Sequence, residues 1–350
     1  MMPIKKIRVM VVDDSMLARS LIIKGLSTHP RLEVVGFAIN AMDAKKKIEQ
    51  LNPDVVTMDV EMPGLNGIDF LKQYLPEHPI PVILVSSLNL KVFDALAAGA
   101  VDFVRKPDDQ QSPEAFIQAL SQKVVMASSA KVRSGAKPAA AATAAKPAVA
   151  DAPLLGGTAM DGVMIGLGAS TGGTEATLEV LKRLPEDIPG MVIVQHMPPG
   201  FTKMYAERLN RLCKMEVREA KHGDEIRRGL ALIAPADFQA RVVKTGNRYT
   251  LSCQPGDKVS GHRPSVDVLF QSMADVVTCK KVGIIMTGMG QDGAKGLLAM
   301  RQKGAYTIGQ DKESCVVYGM PMVANDIGAV TIQASCENIA GVLLRHLKSL

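Results

Sequence analysis

A glycine-rich stretch, GLGASTGG at residues 166–173, lies between an apolar run and a segment with helical periodicity. It is therefore predicted to form a tight turn from a strand into a helix. Its glycines fit a loose G-x-G-x-x-x-G, typical of a dinucleotide phosphate site, while residues 168–172 fit G-x-S-x-G, which exposes a nucleophilic serine. A packing turn without chemistry is the third interpretation. The function of the chain depends on which of the three holds.

The composition indicates a globular protein with more than one domain. The chain has 350 residues, which is too long for one ordinary core. Apolar residues make up 47% of it, whereas aromatic residues make up 4%, which disfavours stacking platforms for single-stranded nucleic acid. Five cysteines form no C-x-x-C pair and indicate a reducing compartment. Since no apolar run approaches about 18 residues, we expect a cytoplasmic protein without membrane insertion.

Residues 126–157 separate two regions that each alternate strands with helices. They are rich in Ala, Lys and Pro and have no apolar periodicity, so they are predicted to form a flexible basic linker. Uniformly apolar strands on either side indicate parallel sheets that are buried on both faces. We therefore expect two doubly wound α/β domains, a flavodoxin-like domain at residues 1–125 and a Rossmann-like domain at 158–350 with a β-hairpin. Strands are predicted at residues 7–12, 32–37, 55–58, 82–85, 101–104, 163–168, 191–196, 230–234, 282–286, 305–308 and 330–332.

Polar side chains follow four predicted strands of the N-terminal region: Asp13 and Asp14, Asp59, Ser86, and Lys106. The carboxyl ends of parallel strands meet at one edge of a sheet, so these groups should converge. Three converging carboxylates repel one another unless a hard cation such as Mg²⁺ neutralises them. A carboxylate can also accept a phosphoryl group, whose oxygens a lysine and a hydroxyl then hold. The pattern therefore predicts a phosphoryl-transfer site.

On these residues, positions 4–125 resemble the receiver domains of response regulators. The resemblance implies that Asp59 accepts a phosphoryl group from a chemotaxis histidine kinase. It also implies a set of Mg²⁺ ligands: Asp13 (through water), Asp14, Asp59 and Glu61 (through its carbonyl). Three further residues are implied to sense the phosphoryl group: Ser86, Lys106 and Phe103. Asn66 stands where the family usually has Asp, at a peripheral position.

The two chemical interpretations of residues 166–173 make different demands on the next strand. A dinucleotide site requires an acidic residue at its end, or an arginine for NADP, but that strand ends in His196. A serine nucleophile requires a base and an orienting acid, and His196 and Asp292 follow two other predicted strands. Parallel strand ends would thus bring Ser170, His196 and Asp292 into one cleft. Their order along the chain differs from that of α/β-hydrolases.

Three motifs carry a second resemblance: GASTGG at residues 168–173, QHMP at 195–198 and TGMGQDG at 287–293, with support from GHRPSVD at 261–267 and YGMP at 318–321. Residues 160–349 resemble the catalytic domain of chemotaxis protein-glutamate methylesterases. The resemblance implies demethylation of glutamate methyl esters and deamidation of glutamines on the cytoplasmic helices of chemoreceptors, without a cofactor. It implies that the backbone of Met289 helps to hold the oxyanion, and the turn at Thr171 is a second candidate.

A receiver tethered to an esterase predicts regulation: the unphosphorylated receiver covers the cleft, and phosphorylation of Asp59 opens it. A DNA-binding response regulator and an NADP-dependent reductase remain alternatives at this stage. The first is disfavoured because about 190 residues of alternating strands and helices do not resemble a helix-turn-helix module. His262 is expected to be structural, because it lies in a loop without an acidic partner in sequence.

Overall fold

A computed structural model describes residues 5–87, 91–107, 112–132 and 162–350, which belong to two compact units. The chain divides between Thr143 and Ala144, inside the predicted linker. Most of that linker, residues 133–157, lies outside the described residues, so its flexibility stays a prediction. None of the helices within the described ranges is both long and apolar enough to cross a membrane.

The N-terminal unit alternates strands and helices: β1 (Ile7–Val12), α1 (Met16–Ser27), β2 (Leu32–Ala38), α2 (Ala41–Leu51), β3 (Val55–Asp59), α3 (Gly67–Tyr74), β4 (Val82–Ser86), α4 (Lys91–Ala97), β5 (Asp102–Arg105) and α5 (Pro113–Ala127). Its five parallel strands follow the flavodoxin-like order β2-β1-β3-β4-β5, as predicted. Strands β3 and β4 are buried along their whole length, which accounts for their apolar sequences. Four helices begin after a side chain that accepts a hydrogen bond from the first turn: Ser15, Asn40, Asn66 and Ser112.

The C-terminal unit contains β6 (Val163–Ala169), α6 (Gly173–Leu181), β7 (Gly190–Gln195), α7 (Phe201–Leu212), β8 (Glu216–Glu219), β9 (Asp224–Glu225), β10 (Leu230–Ile233), β11 (Gln239–Thr245), β12 (Arg248–Gln254), α8 (Val266–Val276), β13 (Lys280–Ile285), α9 (Ala294–Gln302), β14 (Tyr306–Gln310), α10 (Met320–Asp326), β15 (Ile332–Ala334) and α11 (Cys336–Lys348). Seven strands form a parallel sheet in the order β15-β14-β13-β6-β7-β10-β8. The strand order reverses beside β6, which has β7 on one side and β13 on the other. In doubly wound sheets, ligands bind at the carboxyl ends of the strands where the order reverses.

A separate three-stranded sheet contains the predicted hairpin. Strands β11 and β12 pair antiparallel, and β9 adds a short third strand. The hairpin packs on α8, where the backbone N–H of Val242 donates to Ser272 Oγ at 2.9 Å. Helix α8 is therefore held between the hairpin and the large sheet.

The glycines of residues 166–173 serve close packing. A Cβ atom on Gly166 would lie 2.6 Å from Met273 Sδ, and one on Gly168 would overlap the side chain of Val266. Met273 and Val266 belong to α8, so the missing side chains let this helix lie directly against β6. Gly172 has a φ of +76°, a left-handed conformation that turns the chain into α6. The packing interpretation thus accounts for the glycines and leaves Ser170 available for chemistry.

One strand is displaced from its predicted position, and two, β8 and the short β9, were not predicted. The last strand was predicted at residues 330–332 but lies at Ile332–Ala334, because Val330 instead packs its side chain against Gly309 of β14. Strand β8 was not predicted, since it is a charged edge strand in which only Val217 is buried. Such a strand lacks the apolar run that identifies the interior strands.

Candidate active site

The sheet brings Ser170, His196 and Asp292 to one edge of the C-terminal unit. Ser170 follows β6, His196 follows β7, and Asp292 lies in the loop after β13. Backbone hydrogen bonds link the three strand ends: Ser170 N–H donates to Thr287 O at 3.0 Å, and His196 N–H donates to Ala169 O at 3.1 Å. The three residues therefore lie at the same edge of the sheet, where the strand order reverses.

His196 and Asp292 form a buried pair. Nε2 of His196 lies 2.9 Å from Asp292 Oδ2, and the histidine side chain is 8% exposed. Because a carboxylate only accepts hydrogen bonds, this contact fixes the proton on Nε2. The other ring nitrogen, Nδ1, is buried and has no hydrogen-bond partner within the described part of the chain. Nδ1 is thus the nitrogen that is able to take a proton, whereas chymotrypsin-like triads place the aspartate on Nδ1.

Asp292 is held by the N-terminus of α8. Its Oδ1 accepts hydrogen bonds from Ser265 Oγ at 2.6 Å and from the N–H of Asp267 at 3.1 Å, while Oδ2 also accepts from the N–H of Val266 at 2.8 Å. Asp292 does not cap the helix that follows it, since the N-cap of α9 is Gly293 and no side chain caps this helix. Asp292 instead joins His196 to α8.

The same contacts keep Asp292 ionised. Burial opposes its charge, but hydrogen bonds from His196, Ser265 and Val266 hold the pKa of the Asp292 carboxyl below its ordinary value. The positive end of the α8 dipole acts in the same direction. The site therefore presents a carboxylate to His196 at neutral pH.

Two residues that lie within the quoted motifs, but for which the sequence suggested no role, fix the position of Ser170. The side chain of Gln195 donates from Nε2 to Ser170 O at 2.8 Å and to His196 O at 3.2 Å. Gly288 lies so close that a Cβ atom there would be 2.7 Å from Ser170 Cβ. Met289, the predicted oxyanion donor, is the next residue and is 42% exposed. The second candidate, Thr171, is buried, and its carbonyl accepts from Thr287 Oγ1 at 3.0 Å.

His262 also reaches this site. Its ring stacks on that of His196 with 3.7 Å between the centroids and 8° between the planes. One sequence signal relates to this contact: His262 is three residues before Ser265, which bonds to Asp292. That signal becomes visible only once the partners of Asp292 are known.

The N-terminal unit gathers its acidic residues at the carboxyl edge of its sheet. Asp13, Asp14 and Asp59 have ligand atoms within 4.8 Å of one another. Lys106 Nζ lies 2.6 Å from Asp59 Oδ2 and 3.1 Å from Asp13 Oδ2. The N–H of Glu61 donates to Asp59 Oδ1 at 3.2 Å, which places the Glu61 backbone beside the acidic cluster.

The charges of this cluster are only partly balanced. Burial raises the pKa of the Asp59 carboxyl, and the hydrogen bond from Lys106 offsets only part of that effect. Burial lowers the pKa of the Lys106 ammonium, but the contacts with Asp59 and Asp13 outweigh it and leave this pKa raised. Ser86 Oγ is buried and has no hydrogen-bond partner among the described residues, while Phe103 is buried in β5.

Sequence comparisons match both units to known families. The family described as CheB methylesterase matches residues 165–343, and the response regulator receiver domain matches residues 9–118. A protein-glutamate methylesterase/protein-glutamine glutaminase 2 from Syntrophomonas wolfei is 46% identical over 351 residues, with 100% of both chains covered. A protein-glutamate methylesterase/protein-glutamine glutaminase from Salmonella choleraesuis is 42% identical, with 98% of both chains covered.

A solved structure supports the fold of the C-terminal unit. The CheB methylesterase catalytic domain of Thermotoga maritima is 35% identical, with a TM-score of 0.51. The match covers 52% of this chain and 97% of the Thermotoga chain. The doubly wound α/β fold that the sequence predicts for the C-terminal unit is thereby confirmed.

Proposed function

The chain belongs to the CheB methylesterase family, and on this premise we propose that Ser170, His196 and Asp292 are its catalytic triad. The protein is a protein-glutamate methylesterase and protein-glutamine glutaminase. Its substrates are glutamate methyl esters and glutamine side chains on the cytoplasmic helices of chemoreceptors. The observation that carries the assignment of residues is the 2.9 Å contact between His196 Nε2 and Asp292 Oδ2, at the strand end beside Ser170.

The first half-reaction forms an ester between Ser170 and the substrate glutamyl group. Ser170 Oγ attacks the γ-carbonyl carbon while its proton moves to Nδ1 of His196. Asp292 then stabilises the imidazolium through Nε2. The imidazolium gives the proton to the leaving group, which departs as methanol from an ester or as ammonia from an amide. The two tetrahedral intermediates differ only in their leaving group and collapse to the same acyl-enzyme, so one site serves both.

Hydrolysis of the acyl-enzyme reverses the roles of these groups. A water molecule attacks the carbonyl carbon, Nδ1 of His196 takes its proton, and the Ser170–acyl bond breaks as that proton returns to Oγ. The product is a glutamate carboxylate. Throughout, Gln195 holds the backbone on either side of the reacting groups, through its bonds to Ser170 O and His196 O.

Backbone N–H groups are proposed to hold the oxyanion. Met289 follows Gly288, which packs against Ser170, so its N–H belongs to the loop nearest the nucleophile. Thr171 follows Ser170 directly, at the entry to α6. An oxyanion donor of this kind contributes roughly 3 kcal/mol to transition-state stabilisation.

The receiver domain is proposed to take a phosphoryl group on Asp59 from a histidine kinase. Carboxylate oxygens gathered within 4.8 Å fit a divalent cation, because oxygen ligands suit Mg²⁺ and the cation offsets their mutual repulsion. Mg²⁺ would be held by Asp13 (through water), Asp14, Asp59 and the Glu61 carbonyl, and it would neutralise the oxygens of the incoming group. Lys106 and the buried hydroxyl of Ser86, which has no partner among the described residues, would hold the phosphoryl oxygens, and Phe103 in β5 would respond to phosphorylation.

Phosphorylation of Asp59 is proposed to raise the esterase activity. A receiver domain and an esterase domain in one chain support a switch in which the unphosphorylated receiver restrains the esterase. Such a switch requires only that phosphorylation changes the relative stability of two states, one with the esterase restrained and one with it active. Action on the cytoplasmic part of receptors also supports a cytoplasmic location.

The decisive experiment measures methanol release from methylated receptor membranes, with and without a small phosphodonor. Wild type should release methanol faster with the phosphodonor, Asp59→Asn should not respond to it, and Ser170→Ala should lose activity by orders of magnitude. Ser349→Ala, at an exposed serine of the C-terminal end, is the matched control and should behave as wild type. Full activity in Ser170→Ala would overturn the triad.

A further inference from the structure

We infer that His262 is a positioning residue for His196, and that its stacked ring stabilises the imidazolium that forms when Ser170 loses its proton. The inference rests on the proposed triad, because it concerns the proton acceptor of that triad. His262 thereby contributes to the rate of acyl transfer rather than to the binding of the receptor.

The geometry of the stack favours a charged partner. A centroid separation of 3.7 Å with 8° between the planes means that the two rings overlap almost completely. Two neutral rings avoid this arrangement, because their negative faces repel, and they prefer offset or edge-to-face contacts. A cation over the face of a ring is attracted instead. The contact is therefore more favourable when His196 is an imidazolium than when it is neutral.

A contact that strengthens as the proton moves accelerates the reaction. Only interactions that are stronger in the transition state than in the ground state raise kcat. The stack also restricts the plane of the His196 ring. The one hydrogen bond from Nε2 to Asp292 does not restrict it, because the ring is able to rotate about the axis of that bond. Fixing this plane keeps Nδ1 in a constant direction relative to Ser170.

The backbone of His262 is held firmly enough for this task. It closes a two-residue turn in which Val259 and His262 exchange N–H···O bonds of 3.0 and 2.9 Å. The two central residues, Ser260 and Gly261, have φ values of +53° and +84°, as a type I′ turn requires. Ser260 is not a glycine, so this turn is kept at some conformational cost.

A buried glutamine ties this turn to the segment that binds Asp292. Nε2 of Gln239 donates to His262 O at 3.2 Å, while its Oε1 accepts from the N–H of Ser265 at 3.0 Å. Ser265 in turn donates to Asp292. One short segment thus supports His196 twice, at the ring edge through Asp292 and on the ring face through His262.

The test compares His262→Phe with His262→Leu. Phenylalanine keeps a ring that can stack, whereas leucine fills similar space without one. For methanol release, we expect His262→Leu to lower kcat roughly tenfold with KM changed less than about twofold, and His262→Phe to keep most of the wild-type kcat. The rate at which a fluorophosphonate modifies Ser170 should fall in the same proportion, because that reaction also needs His196 but no receptor. His222→Leu, at an exposed histidine, is the matched control and should leave both rates unchanged.

Other outcomes overturn the inference. Equal losses in the Phe and Leu variants would show that stacking is not what matters, and a change in KM alone would place His262 in receptor binding. If His262→Leu fails to give a cooperative thermal transition, His262→Gln supplies the ring-free variant and the same expectations apply. Wild-type rates in a ring-free variant, together with an inert Ser170→Ala, would refute the role of His262 while leaving the triad intact. An active Ser170→Ala would refute the triad itself.

Discussion

Replacing Asp292 by Asn removes the charge of the carboxylate and turns one of its two acceptor oxygens into a donor. Asp292 receives four hydrogen bonds: from His196 and Val266 on Oδ2, and from Ser265 and Asp267 on Oδ1. The amide NH₂ must face one of these two pairs of donors. Which pair it faces decides the tautomer of His196 and therefore the rate.

The structure favours the orientation that keeps the tautomer. If NH₂ faces His196 and Val266, then Nε2 has to accept and the imidazole proton moves to Nδ1, the nitrogen that must receive the Ser170 proton. If NH₂ faces Ser265 and Asp267, the Ser265 hydroxyl can rotate and accept. The only bond then lost is the longest of the four, from the N–H of Asp267 at 3.1 Å.

In the favoured orientation, His196 keeps a hydrogen bond but loses the negative charge that stabilises its imidazolium. We expect kcat of Asp292→Asn to fall about 10²-fold, which corresponds to about 2.7 kcal/mol. Adding Ser265→Ala removes the hydroxyl acceptor. The loss of kcat in the double variant should therefore approach about 10⁴-fold, the loss that a reversed tautomer causes.

Methanol release at saturating receptor measures these losses. Ser265→Ala alone is the control: it should cost about 1 kcal/mol of stability as the N-cap of α8, and less than about tenfold in kcat. A loss near 10⁴ in Asp292→Asn that does not grow when Ser265→Ala is added would refute the argument from orientation.

Two further predictions concern Gly288 and Asp59. In Gly288→Ala, the new methyl group would lie 2.7 Å from Ser170 Cβ and would overlap Met320 Sδ, so kcat should fall more than tenfold. The control is Gly162→Ala, whose methyl group meets nothing within 4 Å and which should keep the wild-type rate. Equal rates in the two variants would contradict the close packing around Gly288. Asp59→Asn should stabilise the N-terminal unit towards urea at neutral pH without Mg²⁺, because burial raises the pKa of Asp59 and so disfavours the ionised wild-type form. The difference should shrink as the pH falls through the raised pKa of folded Asp59, where the carboxyl takes up its proton, and should vanish below the ordinary range of a carboxyl group. Mg²⁺ should reverse the order by stabilising the wild type alone.

The sequence was sufficient to predict which residues reach the carboxyl edges of the sheets. Apolar runs locate buried strands, and parallel strands share one edge, so Asp13, Asp59, Ser170 and His196 could be placed before any coordinates were known. The role of the glycines could not be predicted in the same way. A missing side chain has the same sequence signature whether a phosphate or a helix occupies the space, and at Gly166 and Gly168 the occupant is α8.

The hydrogen-bond partners of Asp292 could not be predicted from the sequence either. Its donors come from the first turn of α8, which precedes it in the chain but meets it only because the hairpin and β6 hold that helix in place. The stacking of His262 depends on the same long-range packing. Sequence patterns relate a residue only to its neighbours along the chain, whereas these contacts join segments that are distant along it.

The contact between Gly168 and Val266 has a consequence for how such chains can diverge. The two positions share a single volume, since a methyl group on Gly168 would occupy the space of the Val266 side chain. A substitution that enlarges the first is compatible with the fold only if the second shrinks, so these positions are constrained to change together. Because Val266 also donates its N–H to Asp292, we expect a mismatched pair to displace Asp292, the proposed acid of the triad, and so to reduce turnover. Substitutions at these core positions are therefore constrained by selection for catalysis as well as by selection for folding.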